Sequence, residues 1–306
     1  MTKDVLNKRA IVESILPGFF ELLQEELPYK IPKPFPDWQK ILEHGAGILL
    51  AARRQVMKND FALLLHAEHW ETLLKEKIPV YCLGKNIIRD FELTEVKERE
   101  PFLPKDWEPR IRDLMVLFPD SVIQTPDKDS VLYAFIKPFK HPLRNITAFK
   151  KGVHISVMTR TGTIYNTIFG IGDNGEILNT EILLRGTHEI TNHEHEFLKD
   201  FRAIIVQVLL CLEYVPQYVE EFPQVLARNS RGKTTGKLSS WNPRMIGKDY
   251  ERRLVPLTPT PKPTGSHRSP RPHHRRAFWR SQVCGKEGKD RVSRWILPTV
   301  VNKEKF

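Results

Sequence analysis

The charge of this chain is divided unevenly along its length, and this division limits where a hydrophobic core can form. Residues 226–306 contain 20 Lys and Arg against 5 Asp and Glu, a net charge of +15. The whole chain of 306 residues has a net charge of +11, so the first 225 residues carry −4. We therefore expect a mildly acidic folded body and a strongly basic tail. Clustered Lys and Arg favour nucleic acid as the partner, because they displace counterions from phosphates.

Hydrophobic periodicity predicts several helices in the body. Apolar residues at helical spacing indicate helices over residues 4–27, 38–57 and 61–75, so the N-terminal third is expected to be helical. A fourth and longer helix is predicted over 194–221, where a wide apolar stripe is followed by prolines that bend or end it.

The middle of the chain has the pattern of an antiparallel sheet. Turn sequences at 160–162 and 172–175 separate apolar and β-branched runs. The predicted strands are residues 131–136, 153–159, 163–168 and 177–184. The fold class predicted from these segments is α+β, with a helical N-terminal part, an antiparallel sheet packed by the long apolar helix, and a basic extended C-terminal module.

The domain organisation follows from the loss of hydrophobic periodicity after residue 227. We predict a body over 1–226, which is helical over 1–78 and mixed over 79–226. A basic flexible linker, rich in Gly, Ser, Thr and Pro, is predicted over 227–265. A basic and aromatic module then occupies 266–306, with a terminal strand over 294–301.

Membrane and secretory proteins are disfavoured by the apolar segments. No run approaches the roughly 20 apolar residues that a membrane span needs, and the longest, 203–212, is interrupted by Gln207. Residues 1–10 are charged and lack the apolar region of a secretory signal. We expect a cytoplasmic protein with no membrane partner.

Cysteine and histidine usage gives no metal or cofactor signature. The cysteines are odd in number and far apart, which favours a reducing compartment, and no Cys-x-x-Cys pair of a zinc ribbon is present. Three histidines, His188, His193 and His195, occur with glutamates in the segment 187–196, but their spacing is not that of a zinc helix. The segment favours a polar helix N-terminus instead, and we predict no cofactor and no metal.

The segment Ser266–Arg280 interleaves basic and aromatic residues in the manner of an RNA-binding surface. It contains five arginines, three histidines and a Phe-Trp pair. Arginine binds phosphate through two hydrogen bonds and stacks on bases, and aromatic rings stack on bases. The residues predicted to contact RNA are Arg271, His273, Arg275, Arg276, Trp279, Arg280, Arg294 and Trp295.

A structural alternative exists for the aromatic residues of this segment. Phe278, Trp279 and Trp295 would then dock the tail onto the body, and the arginines would be solvated or paired with carboxylates of the body. The two interpretations are compatible with each other.

The C-terminal motifs resemble those of a known family. Arg271-Pro-His-His-Arg-Arg-Ala-Phe-Trp279, followed by a basic spacer and Arg294-Trp-Ile-Leu-Pro-Thr-Val-Val-Asn302, is similar to the C-terminal signature of the type V-A anti-CRISPR family that acts during translation of its target. Members are found on phages and other mobile elements. The family form has Gly-His before the first Trp, where this chain has Ala277-Phe278.

The resemblance implies a regulatory function. A member of that family would recognise the emerging N-terminal peptide of an RNA-guided nuclease and cause loss of the message being translated. The body would then bind a nascent peptide, and the basic module would contact messenger or ribosomal RNA.

Two other functions remain open at this point. The chain could be a metal-independent ribonuclease that uses His273 or His274 as the acid/base group. It could also be a non-enzymatic module whose basic tail binds an acidic protein partner. Whether the protein is an enzyme is therefore left undecided by the sequence.

Overall fold

The computed structural model describes most of the body and parts of the basic tail. The described residues are 35–36, 38–53, 61–76, 78–94, 96, 103, 107, 113–139, 151–184, 190–221, 243–248, 250, 273–275, 278–284, 290–296 and 299–301. The helix predicted over 4–27 and most of the predicted linker lie outside these residues.

The described chain is a mixed α+β protein, as the sequence predicts. Its helices are α1 (Trp38–Arg53), α2 (Phe61–Glu76), α3 (Lys85–Glu92) and α4 (Asn192–Tyr214). Its strands are β1 (Val80–Leu83), β2 (Leu114–Leu117), β3 (Val131–Phe139), β4 (Gly152–Thr159), β5 (Ile164–Ile171), β6 (Ile177–Leu184), β7 (Val219–Glu221), β8 (Arg244–Ile246), β9 (His273–Arg275), β10 (Phe278–Cys284), β11 (Asp290–Ile296) and β12 (Thr299–Val301).

Eight strands form one central sheet in the order β6-β5-β4-β3-β2-β1-β8-β7. The four strands predicted from the sequence are β3 to β6, and they form the expected antiparallel meander. The sheet is larger than predicted, because β1 pairs in parallel with both β2 and β8. The connection from β1 to β2 contains α3, since parallel neighbours need a crossover.

Both faces of this sheet are buried, and alternation along each strand divides its side chains between two cores. On β4, Val153, Ile155 and Val157 belong to the core beneath α3 and α4. Met158 belongs to the core beneath α1 and α2, where Trp70 is fully buried. Every residue of β4 is buried as a result.

The long helix α4 covers one face and begins with a capping box. Thr191 accepts a hydrogen bond from the Glu194 backbone N–H at 3.3 Å, and the Glu194 carboxylate accepts one from the Thr191 N–H at 2.9 Å. Tyr165 of β5 also donates to Glu194, at 3.2 Å. The helix ends before Pro216, which starts a 3-10 turn, so it is shorter than the predicted 194–221.

Part of the predicted linker belongs to the sheet. Residues 244–246 form β8 between β1 and β7, and Gly247, with a φ of +83°, turns the chain away. A Cβ at Gly247 would lie 2.8 Å from the Ile87 side chain, so glycine is required there. The strand was missed because three residues are too few to show periodicity.

A buried polar cluster joins α2 to the sheet and was not predicted. The His66 Nδ1 atom lies 2.7 Å from Ser156 Oγ, and the His69 Nε2 atom lies 3.1 Å from His154 Nδ1. His154 in turn hydrogen-bonds Asn166 Oδ1 at 3.0 Å through its other ring nitrogen. These contacts satisfy imidazoles inside the core and fix the position of α2 on the sheet.

Burial keeps these histidines neutral. Loss of solvation is the main cause that lowers the pKa of His66 to about 3 and that of His154 to about 4, and the pKa of His69 is also lowered well below its usual value. Neighbouring histidines and Lys137 act in the same direction on His69, since their positive charge opposes a further proton. A proton on this cluster would therefore be an unpaired buried charge.

The free energy of unfolding should fall on acidification from pH 7 to about pH 4.5. The unfolded chain binds protons at the ordinary histidine pKa of 6.5, whereas the folded His66 and His154 do not until about pH 3 to 4. Stability is thus fully present above pH 6.5 and is lost below it, by roughly 2–3 kcal/mol per histidine at pH 4.5. Urea unfolding across this pH range measures the effect.

His154→Gln should lower the stability at pH 7 and flatten the pH dependence. The matched control is His193→Gln, which changes an exposed histidine of α4 and should retain the full dependence. Equal free energies of unfolding at pH 7 and pH 4.5 in the unmodified protein would show that the cluster is not held neutral.

Candidate nucleic-acid interface

The described part of the basic C-terminal module consists of two antiparallel strand pairs. β10 pairs with β11 from Phe278 opposite Ile296 to Cys284 opposite Asp290. β9 pairs with β12 from Arg275 opposite Thr299 to His273 opposite Val301. The two strand pairs are in the same register, because two residues separate β9 from β10 and two residues separate β11 from β12. The described part of the module therefore contains a hairpin, formed by β10 and β11, and a second strand pair, whereas the sequence predicts one terminal strand.

One face of this hairpin is docked on the body through a tryptophan pair. Trp279 and Trp295 lie directly opposite each other, with ring centroids 5.0 Å apart, and both are half-buried against the core beneath α3 and α4. The Trp295 ring meets Phe91 of α3 edge-on at 5.6 Å. Ser293, which shares this face, is buried too. Aromatic contacts therefore orient the hairpin on the body.

The opposite face of the hairpin presents two arginines. Arg280 and Arg294 lie directly opposite each other, one residue along from the tryptophans, and both are exposed. Among the described residues, no salt bridge involves either of them. Like charges at directly opposed positions destabilise a strand pair. A phosphate between the two guanidinium groups would remove this repulsion and accept hydrogen bonds from both.

The predicted RNA-contacting residues fall into three groups. Arg271 and Arg276 lie outside the described residues. His273 and Arg275 lie in β9, which pairs with β12 and also contains His274, the other candidate acid/base group. The four residues of β10 and β11 are split between the two faces: Trp279, Trp295, Arg280 and Arg294. The tryptophans dock the hairpin, as the structural alternative states, and the arginines remain available to a partner.

Tyr250 makes further contacts with the helix on which the hairpin docks. Tyr250 donates a hydrogen bond to the Asp90 carboxylate of α3, and its ring meets Tyr218 edge-on at 5.5 Å. Burial raises the pKa of Asp90, and the bond from Tyr250 opposes that rise. Sequence reasoning missed α3 and its contacts, although Ile87, Ile88 and Phe91 have helical spacing.

Part of the histidine-rich segment 187–196 forms the capped N-terminus of α4. Glu194 is buried and is engaged by Thr191 and Tyr165, while His193 is exposed to solvent. Within the described parts of the chain, no group of three His, Cys, Asp or Glu side chains is arranged to hold a metal ion.

None of the described helices is long and apolar enough to cross a membrane. Cys82 and Cys211 are buried free thiols, and burial raises the pKa of Cys211 to about 12. A thiol with so high a pKa is a poor nucleophile, and Cys211 packs as a core residue.

Comparison with known proteins identifies a family over most of the chain. The model of the anti-CRISPR type V subtype A2 family, AcrVA2-like, matches residues 101–303. The matched region includes the central meander, α4 and the whole described hairpin. A comparison with curated proteins found no match.

Charge reversal at Arg280 should stabilise the hairpin. Arg280→Glu replaces a repulsive cross-strand pair with an attractive one, so the gain is expected to be about 0.2–1 kcal/mol. Hydrogen exchange of the β10 and β11 amides measures it, and slower exchange is expected. The control is Lys85→Glu, an exposed charge reversal on α3. Faster exchange in Arg280→Glu would show that the two arginines do not oppose each other.

Proposed function

We propose, from the premise that this chain belongs to the anti-CRISPR type V subtype A2 family, that it recognises a nascent polypeptide and down-regulates the mRNA that encodes it. The basic C-terminal hairpin contacts RNA in this proposal, and the body binds the peptide. The protein acts in the cytoplasm, where the message is translated.

The observation that carries the RNA contact is the exposed Arg280–Arg294 pair. The docked tryptophans hold the opposite face of the hairpin, so the two guanidinium groups point away from the body. Two guanidinium groups at opposed positions of a docked hairpin are suited to a phosphate backbone, since each can donate two hydrogen bonds to phosphate oxygens. The surrounding tail of net charge +15 supplies further non-specific attraction.

The charge division supports separate roles for the two parts of the chain. The first 225 residues carry a net −4, which disfavours extensive RNA contact by the body. The body has instead a large apolar interior with helices on both sheet faces. Concentrating cations in the tail allows RNA to be held next to the body without covering it.

The proposal predicts that the protein co-purifies with a small set of messages from growing cells. Affinity purification of the full chain, followed by sequencing of the bound RNA, measures this enrichment. Arg280→Glu combined with Arg294→Glu should reduce the recovered RNA roughly tenfold, because two phosphate contacts are lost and two repulsive charges are added. Lys85→Glu should behave like the unmodified protein, since Lys85 lies on α3 outside the hairpin.

The dependence on translation distinguishes nascent-chain recognition from direct RNA recognition. Release of nascent chains with puromycin before lysis should abolish the enrichment of particular messages. Enrichment that survives puromycin would overturn the nascent-chain part of the proposal. RNA recovery that is equal in the double arginine variant and the unmodified protein would overturn the role of the hairpin.

A further inference from the structure

An open groove of about 870 Å³ lies beside α3 and α4, on the sheet face opposite α1 and α2. Aromatic and aliphatic side chains make up much of its lining, among them Phe91, Phe169, Ile177, Phe197, Phe201 and Ile204. Leu93, at the end of α3, is 49% exposed and also lines the groove. A concave site of this volume with both apolar and polar side chains in its lining is typical of ligand binding.

The charged residues of the groove indicate what kind of ligand it suits. Glu92 of α3 and Asp200 of α4 are both exposed there, and no salt bridge among the described residues involves either carboxylate. Loss of solvation raises the pKa of Glu92, Arg89 opposes the rise, and the nearby Asp200 adds to it. A cation placed between the two carboxylates would relieve their repulsion.

The same charges disfavour a polyanion in the groove. The groove also contains the exposed Lys199 and the buried Arg202, which is engaged within the protein. Its charge is therefore mixed, and the exposed Glu92 and Asp200 lie beside apolar side chains such as Leu93 and Phe197. This combination suits a peptide with apolar and basic side chains better than it suits RNA.

We propose that this groove binds an extended peptide that inserts apolar side chains between α3 and α4 and directs a basic side chain to Glu92 and Asp200. This inference rests on the proposed function, because it names the site and the chemistry of the nascent polypeptide. Phe91 lines the groove and also contacts Trp295 of the hairpin. A peptide bound there lies next to the module that contacts RNA.

An immobilised array of short random peptides, probed with the full-length protein, tests the proposal. The unmodified protein should select peptides that combine large apolar residues with Lys or Arg. Leu93→Glu should weaken binding of the selected peptides roughly tenfold or more, since an apolar contact is replaced by a charge. The matched control is Leu64→Glu, which changes the exposed leucine of α2 on the other sheet face and should leave binding unchanged.

Charge reversal at Glu92 tests the carboxylates through a change in which peptides are selected, and damage to the fold alone would not produce such a change. Glu92→Lys should shift the selected sequences from basic towards acidic residues, while the preference for large apolar residues remains. Thermal unfolding of each variant checks that the fold is retained, which is expected because Glu92, Leu93 and Leu64 are all exposed.

The outcomes separate this inference from the proposed function. Selection of peptides that is unaffected by Leu93→Glu overturns the groove and leaves nascent-chain recognition in place. Selection with no basic preference, or with a preference that Glu92→Lys does not change, overturns the role of the carboxylates. If no peptide is selected, both the groove and the nascent-chain part of the proposed function are overturned, whereas RNA contact by the hairpin is not.

Discussion

Burial of the central sheet on both faces is the constraint to which the other elements conform. A strand such as β4 has no solvent-facing side, so each alternate set of its side chains needs a separate layer of cover. α1 and α2 provide one layer, and α3, α4 and the C-terminal hairpin provide the other. The cost of this arrangement is that polar groups on the inner strands have no access to water. The His66–Ser156 and His154–Asn166 hydrogen bonds satisfy several of these groups inside the protein.

The short helix α3 connects the sheet to both candidate binding surfaces. It forms part of the crossover that places β1 parallel to β2, and it buries Ile87 and Ile88 in the core. Phe91 meets the tryptophan pair of the hairpin on one side and lines the groove on another. Asp90 is bonded to Tyr250. A change that displaces α3 would therefore alter the hairpin and the groove together, which is a physical basis for coupling between two sites.

Much of the fold could be predicted because its longer elements have strong periodic signals. The bounds of β3 to β6 and of α2 agree closely with the predicted segments, and turns with glycine at positive φ separate the strands at Gly162 and Gly175. The missed strands of the central sheet have only three or four residues each; they are β1, β2, β7 and β8. β1 and β2 are runs of four apolar residues each, and such runs show neither a period of two nor a period of 3.6.

Only part of the candidate interface could be predicted from the sequence, and the reason differs from the one that applies to the missed strands. Composition identifies basic and aromatic residues in the tail, but it does not say which side of a strand each residue faces. Alternation in β10 and β11 sends Trp279 and Trp295 to the body and Arg280 and Arg294 outwards. That division depends on a hairpin register and on a partner surface at Phe91, and neither is encoded in a local pattern. The groove between α3 and α4 likewise combines residues far apart in the chain.

The central claim is that the outward face of the hairpin contacts RNA while its other face is docked on the body. Photo-crosslinking from Gln282 tests this most directly, because Gln282 shares the face of Arg280 and its replacement leaves both arginines in place. With benzoylphenylalanine at position 282, irradiation of growing cells should yield covalent RNA adducts. The same group at position 64, on α2, should yield none. An absence of RNA adducts at position 282, or equal adducts at both positions, would contradict the account.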